Sequence, residues 1–133
     1  MSAVSAMQQW LAVEHEAVWL YSLVGARFSA LTGQARRTRD AHLVARDDLL
    51  DRLHKAGAEP VATGLSYDVG PLKTQDEARQ AVRDVEGRIA AATLALVGEA
   101  SGATRGLATT ALRRAALTDL AWGGEPVAFP GLP

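Results

Sequence analysis

Glu14, Arg39, His42, Glu86 and Arg114 are ionisable residues that fall among apolar ones at helical spacing. The helical neighbours of Glu14 along its own face are Met7, Trp10, Leu11, Ala17, Val18 and Tyr21, and none carries a charge. A lone carboxylate on such a stripe costs several kcal/mol to bury unless something pairs with it. Two kinds of chemistry suit these residue types. Carboxylates with an imidazole can surround a hard or borderline metal, which wants several anionic oxygens. Carboxylates with a guanidinium make a buried ion pair instead, because arginine is permanently charged and grips a carboxylate bidentately. Other catalytic templates find nothing: there is no glycine-rich phosphate loop, no nucleophile elbow and no zinc spacing.

Four helices have to position these groups. The first spans about residues 3–31, with the apolar period Val4, Met7, Leu11, Val18, Tyr21, Phe28 and Leu31. Ser2 or Ser5 can cap it, Ser5 and Gln8 having capping-box spacing, and Thr32-Gly33 is its stop. The second, about 34–56, carries His42 at the centre of the stripe Ala35, Thr38, Ala45, Leu49 and Leu53. Arg39 and Arg46 flank that histidine. The short connection makes these two helices antiparallel. The third helix, about 75–101, opens with Thr74-Gln75-Asp76-Glu77, a well-formed capping box, and Glu86 falls at the edge of its stripe beside Val82 and Ile89. The fourth, about 104–122, presents Leu107, Thr110, Ala111, Leu117, Leu120 and Ala121 inward, with Arg114 among them. Residues 123–133 are proline-broken and form an extended tail.

Between the second and third helices lies AGAEPVATGLSYDVGPL, too rich in turn formers for a helix. The second helix is roughly 35 Å long, and the loop can extend to roughly 55 Å. It can therefore run the length of the bundle and leave the second and third helices parallel. One long crossover of that kind is what ferritin-like bundles require. The expected fold is all-α, a ferritin-like four-helix bundle with a long crossover between helices 2 and 3, in a single domain over residues 1–133.

AVEHEAVWLY, AHLVARDDLLDRLHKAGA and the closing AFPGLP together resemble an actinobacterial ferritin-like family of unknown function. The resemblance covers nearly the whole chain and implies a homodimer with no established activity. In the di-metal pattern, two helices give one glutamate each and two give a Glu-x-x-His pair. Glu14 and Glu86 match the single glutamates, and His42 matches the second-helix histidine. Arg39 replaces that histidine's glutamate, the fourth helix has no histidine, and Arg114 occupies its central inward position. The expectation is a degenerate metal site in which Arg114, with Arg39, neutralises Glu14 and Glu86.

Bulk composition narrows the classes further. The chain has 133 residues and suffices for one core. Its net charge of −1 argues against a nucleic-acid partner. It has no cysteine, hence no disulfide and no thiolate chemistry. No apolar run approaches the ~20 residues of a membrane span, no signal peptide is visible, and a cytoplasmic location is expected. The preferred reading is a non-enzymatic domain acting in interaction or assembly, with no cofactor. One alternative is an iron or manganese oxidase or iron-handling protein using Glu14, His42 and Glu86. Another is a binder of a small acidic ligand held by Arg39 and Arg114. Glu16 is expected to point away from the face of Glu14, His15 to lie at the surface or a dimer contact, and His54 to complement a helix C-terminus. Trp10, Trp19 and Trp122 cannot all share one small core, so one of them is expected at a subunit contact.

Overall fold

Side-chain caps set two of the four helix starts. A computed structural model, which describes residues 1–133, has α1 at Ala3–Arg27, α2 at Thr32–Lys55, α3 at Gln75–Glu99 and α4 at Gly102–Ala121. Ser2 Oγ accepts from the Ser5 backbone N–H at 3.0 Å and caps α1. The Ser5–Gln8 capping box does not form, because the Gln8 amide is used elsewhere. Thr74 and Glu77 do make the reciprocal box that starts α3.

The α1–α2 corner departs from the sequence reading. α1 ends at Phe28, whose backbone is extended, and a single 3-10 turn at Ser29–Leu31 follows. Thr32 and Gly33 open α2 instead of closing α1. Thr32 Oγ1 donates to the Gly25 carbonyl at 2.6 Å. Gly25 faces Ala35 and the Thr32 backbone, and a Cβ there would meet them at ordinary van der Waals contact. A side-chain hydroxyl thus satisfies a helix-end carbonyl that periodicity cannot see.

Contacts between elements fix their directions. Gly25 lies near Ala35 while Glu14 meets His42, so α1 and α2 are antiparallel. Glu16 pairs with Arg88 and Tyr21 with Glu86, so α1 and α3 are antiparallel as well. α2 and α3 are therefore parallel. Arg83 donates to the Trp122 carbonyl and Arg105 to the Val97 carbonyl, which sets α4 against α3. The outcome is an all-α four-helix bundle with one crossover, residues 56–74, running along α1. Gln8 holds that crossover from both sides, donating to the Glu59 carbonyl and accepting from the Val61 N–H, each at 2.8 Å. Farther along, His15 meets the Val61 carbonyl at 3.0 Å and Tyr67 sits edge-on against Trp19.

The core is built on α1, whose Trp10, Leu11, Leu20, Tyr21 and Val24 are all buried. Leu49 and Leu53 of α2 and Val82, Val85, Ile89 and Leu96 of α3 complete it. α4 contributes small residues, Ala108, Ala111 and Ala115, with Trp122 at its end. This rotates α4 away from the expected face: Leu117 and Leu120 are exposed. An alanine stripe lets α4 sit close to its neighbours. Trp10 and Trp122 are both fully buried and Trp19 is covered by the crossover. All three tryptophans are accommodated within one chain.

Candidate functional site

Three helices bring one titratable side chain each to the middle of the bundle. Glu14 of α1 and Glu86 of α3 are each 1% exposed, and His42 of α2 is 6% exposed and lies between them. His42 Nδ1 is 2.6 Å from Glu14 Oε2, and His42 Nε2 is 2.6 Å from Glu86 Oε1. Trp10, one turn before Glu14 on the same face, donates its indole N–H to Glu14 Oε1 at 2.8 Å. Tyr21 donates its hydroxyl to Glu86 Oε1 at 2.5 Å and stacks on the His42 ring, with centroids 5.2 Å apart and planes 18° apart. Glu86 Oε2 is buried and has no protein partner.

The two carboxyl partners of His42 and its raised pKa together favour the doubly protonated ring. An ionised carboxylate only accepts hydrogen bonds, so two carboxylates on opposite sides of an imidazole require both ring nitrogens to carry protons. Burial opposes the resulting charge. The hydrogen bonds to Glu14 and Glu86 and their negative charges together outweigh it and raise the His42 pKa to about 10. The same surroundings act on Tyr21, where burial first and then the Glu86 charge push the phenol well above its ordinary value. With both glutamates ionised the trio carries charges of −1, +1 and −1, a net of −1.

Arg114 is exposed to solvent and takes no part in this cluster. Its expected inward position is corrected by the rotation of α4: Ala111 and Ala115 hold the buried line, and position 114 falls outside it. Arg39 is also outside. It is partly exposed, its only acidic neighbour is Asp40 at 3.8 Å, and its Nε is buried without a partner beside Tyr21, Ser22 and Thr32. Though three residues before His42 on the same helix, Arg39 lies with Gly25, Ala26 and Thr32 at the α1–α2 corner. The cation that answers Glu14 and Glu86 is His42 itself.

The sequence reading treated Trp10 and Tyr21 as apolar flank, whereas both act as hydrogen-bond donors to the cluster. Their spacing from Glu14 was the available signal, because a buried indole N–H or phenol needs a partner. Glu16 was also missed. It is nearly buried and pairs with Arg88 of α3. His54 is exposed in the last turn of α2.

A metal fits this donor set poorly. A metal-bound histidine must offer a nitrogen lone pair, and both His42 nitrogens are committed as N–H donors to the carboxylates. No group of three or more histidine or acidic side chains has an arrangement that could hold a metal ion. No helix is long and apolar enough to cross a membrane.

Beside the cluster lies a cleft of about 510 Å³ between α3, α4 and the C-terminal tail, with Glu86 among its lining residues. The tail folds back over its own bundle. Gly131, at φ +90°, sits so close to α3 that a Cβ would come within 2.7 Å of the Ala90 carbonyl. Asp119 of α4 also lines this cleft, and burial and the Glu86 charge raise its pKa against the opposing pull of Arg83.

Among solved structures, the chain is similar to a conserved hypothetical protein, rv2844, from Mycobacterium tuberculosis. The TM-score is 0.85 at 25% identity, over 90% of this chain and 93% of that one. No curated protein matches. A family model described as a domain of unknown function, DUF4439, matches residues 6–133, almost the entire chain, and the protein belongs to that family.

Proposed function

We propose that this protein is a ferritin-like bundle that carries no reaction of its own and serves in binding or assembly. In this reading the place of a di-metal centre is taken by a carboxylate–imidazolium–carboxylate cluster. The parallel arrangement of α2 and α3, with its single long crossover, supports the ferritin-like assignment. The observation that carries the rest is His42, bonded through both nitrogens to Glu14 and Glu86 at 2.6 Å. An imidazolium there does the electrostatic work of a cation between two acids. It also repels any divalent ion that approaches them. A redox or hydrolytic metal enzyme would need at least one of these side chains free to ligate.

Elemental analysis of protein purified without a metal-binding tag tests the reading. Iron and manganese should stay far below one equivalent, and added iron(II) or manganese(II) should leave the melting temperature unchanged. Near-stoichiometric metal, lost together with His42→Ala, would overturn it.

The acidic-ligand alternative fares worse. It needed Arg39 and Arg114 together, and Arg114 faces solvent from α4 while Arg39 lies at the α1–α2 corner.

A further inference from the structure

The cleft between α3, α4 and the tail differs from the cluster in being open to solvent and largely apolar. Ala90 and Ala115 leave the space, while Leu120, Val127, Phe129 and Pro130 wall it. Phe129 is 72% exposed and Val127 65%, so the tail offers this apolar surface outward without covering it. A volume of about 510 Å³ lies within the range of small-molecule sites.

Its polar groups are all of one sign. Glu86, Asp119 and Glu125 line it, and no lysine or arginine does. Arg83, whose charge acts on Asp119, spends its guanidinium on the Trp122 carbonyl and the Gln80 side chain. Glu86 is the most deeply buried of the three acids. Its Oε2 has no protein partner, while its Oε1 is taken by His42 and Tyr21. Gly124 leaves room for the Asp119 carboxylate, since a Cβ there would overlap it. The site is also preformed. Gly131 seats the tail against Ala90 and Leu94, and Pro126 and Pro130 stiffen the chain between.

We propose that this cleft binds a small organic cation, an ammonium group on an apolar body, with the ammonium toward Glu86 and Asp119 and the body against Leu120 and Phe129. Acidic groups beside apolar walls favour a ligand that supplies both N–H donors and hydrocarbon. An anion would meet like charge, and a neutral analogue would leave the acids unanswered. This deepens the binding role proposed above and rests on it only in treating the Glu14–His42–Glu86 trio as a fixed ionic group.

Isothermal titration with hexylammonium, hexan-1-ol and hexanoate on the full chain tests it, with amide NMR shifts to locate the probe. Hexylammonium should bind about tenfold or more tighter than either analogue at low ionic strength, a margin that salt narrows. Shifts should centre on Ala90, Ala115 and Phe129. Asp119→Asn combined with Glu125→Gln should weaken hexylammonium about tenfold and leave hexan-1-ol unchanged. Both substitutions lie at partly or fully exposed positions, so the fold survives them. Equal binding of hexan-1-ol or hexanoate overturns the proposal, as does the absence of saturable binding. So does sedimentation showing a dimer that Phe129→Ser dissociates, which would assign the cleft to a second copy. Metal found in the cluster would sink the earlier reading and the ionic trio this one builds on, whereas failed ammonium binding without metal would sink this one alone.

Discussion

Raising the pH from about 6 to about 9 should weaken the bundle through one side chain, His42. The imidazole titrates near 6.5 when the chain is unfolded and near 10 in the folded protein. Between those values the native state holds a proton that the unfolded state has released, so stability falls as pH rises. The contribution is fully present below about pH 6.5 and gone above about pH 10. At about 1.4 kcal/mol per unit, the whole shift is worth on the order of 5 kcal/mol, and the part reached by pH 9 about 3 kcal/mol. The groups facing the ring are Glu14 and Tyr21 from α1 and Glu86 from α3. Tyr21 does not interfere, because its own titration lies above this window. Urea unfolding followed by circular dichroism at half-unit pH steps measures the slope. His42→Gln supplies the control and should flatten it. Stability that is level across the window in the native chain would refute the imidazolium assignment, as would an unchanged slope in His42→Gln.

Three further substitutions probe the surroundings. Tyr21→Phe removes a buried donor to Glu86 and should cost about 2 kcal/mol in urea unfolding, the scale of a hydrogen bond to a charged group. A cost below about 0.5 kcal/mol would mean that Glu86 does not depend on it. Arg114→Ala should change stability by no more than about 0.5 kcal/mol, whereas an arginine paired with buried acids would cost about 3–5 kcal/mol on removal. Gly131→Ala forces a positive φ on alanine and drives its Cβ against the Ala90 carbonyl and Leu94. Hydrogen exchange should then rise across residues 125–133 while the helices stay protected, and unchanged exchange there would show that the tail is not seated by that glycine.

The helices and their order were legible because apolar spacing and the Thr74–Glu77 box are local signals. So was the crossover, since a long turn-rich stretch between two long helices has few geometric uses. Glu14 stood out because its helical neighbours are uncharged, and His42 because it falls at mid-stripe. Arg114 misled because leucines were taken to mark the inner face of α4. In a bundle where α4 packs through Ala108, Ala111 and Ala115, the small residues mark the centre of that face, with Leu107 and Leu112 only partly buried beside it. Two exposed leucines, Leu117 and Leu120, carried the same misleading signal. The first helix's end was missed for another reason. It depends on Thr32 reaching back to the Gly25 carbonyl, a contact that exists only once α2 has turned against α1.

The four carboxylate oxygens of the cluster are unequally satisfied. Glu14 Oε1 takes the Trp10 indole, and Glu14 Oε2 takes one side of His42. Glu86 Oε1 takes both the other side of His42 and the Tyr21 hydroxyl. Three oxygens therefore receive four donors, and Glu86 Oε2 receives none from the protein. Buried acceptors are rarely left without a partner, since each costs about 1–3 kcal/mol. The imbalance is one-sided: Glu14 is fully answered from its own helix and from α2, while Glu86 is answered on one oxygen alone. Glu86 is also the member of the trio that lines the acidic cleft beside α4 and the tail. A donor arriving through that cleft would complete the set without disturbing His42, and this is why the proposed ammonium is directed toward Glu86.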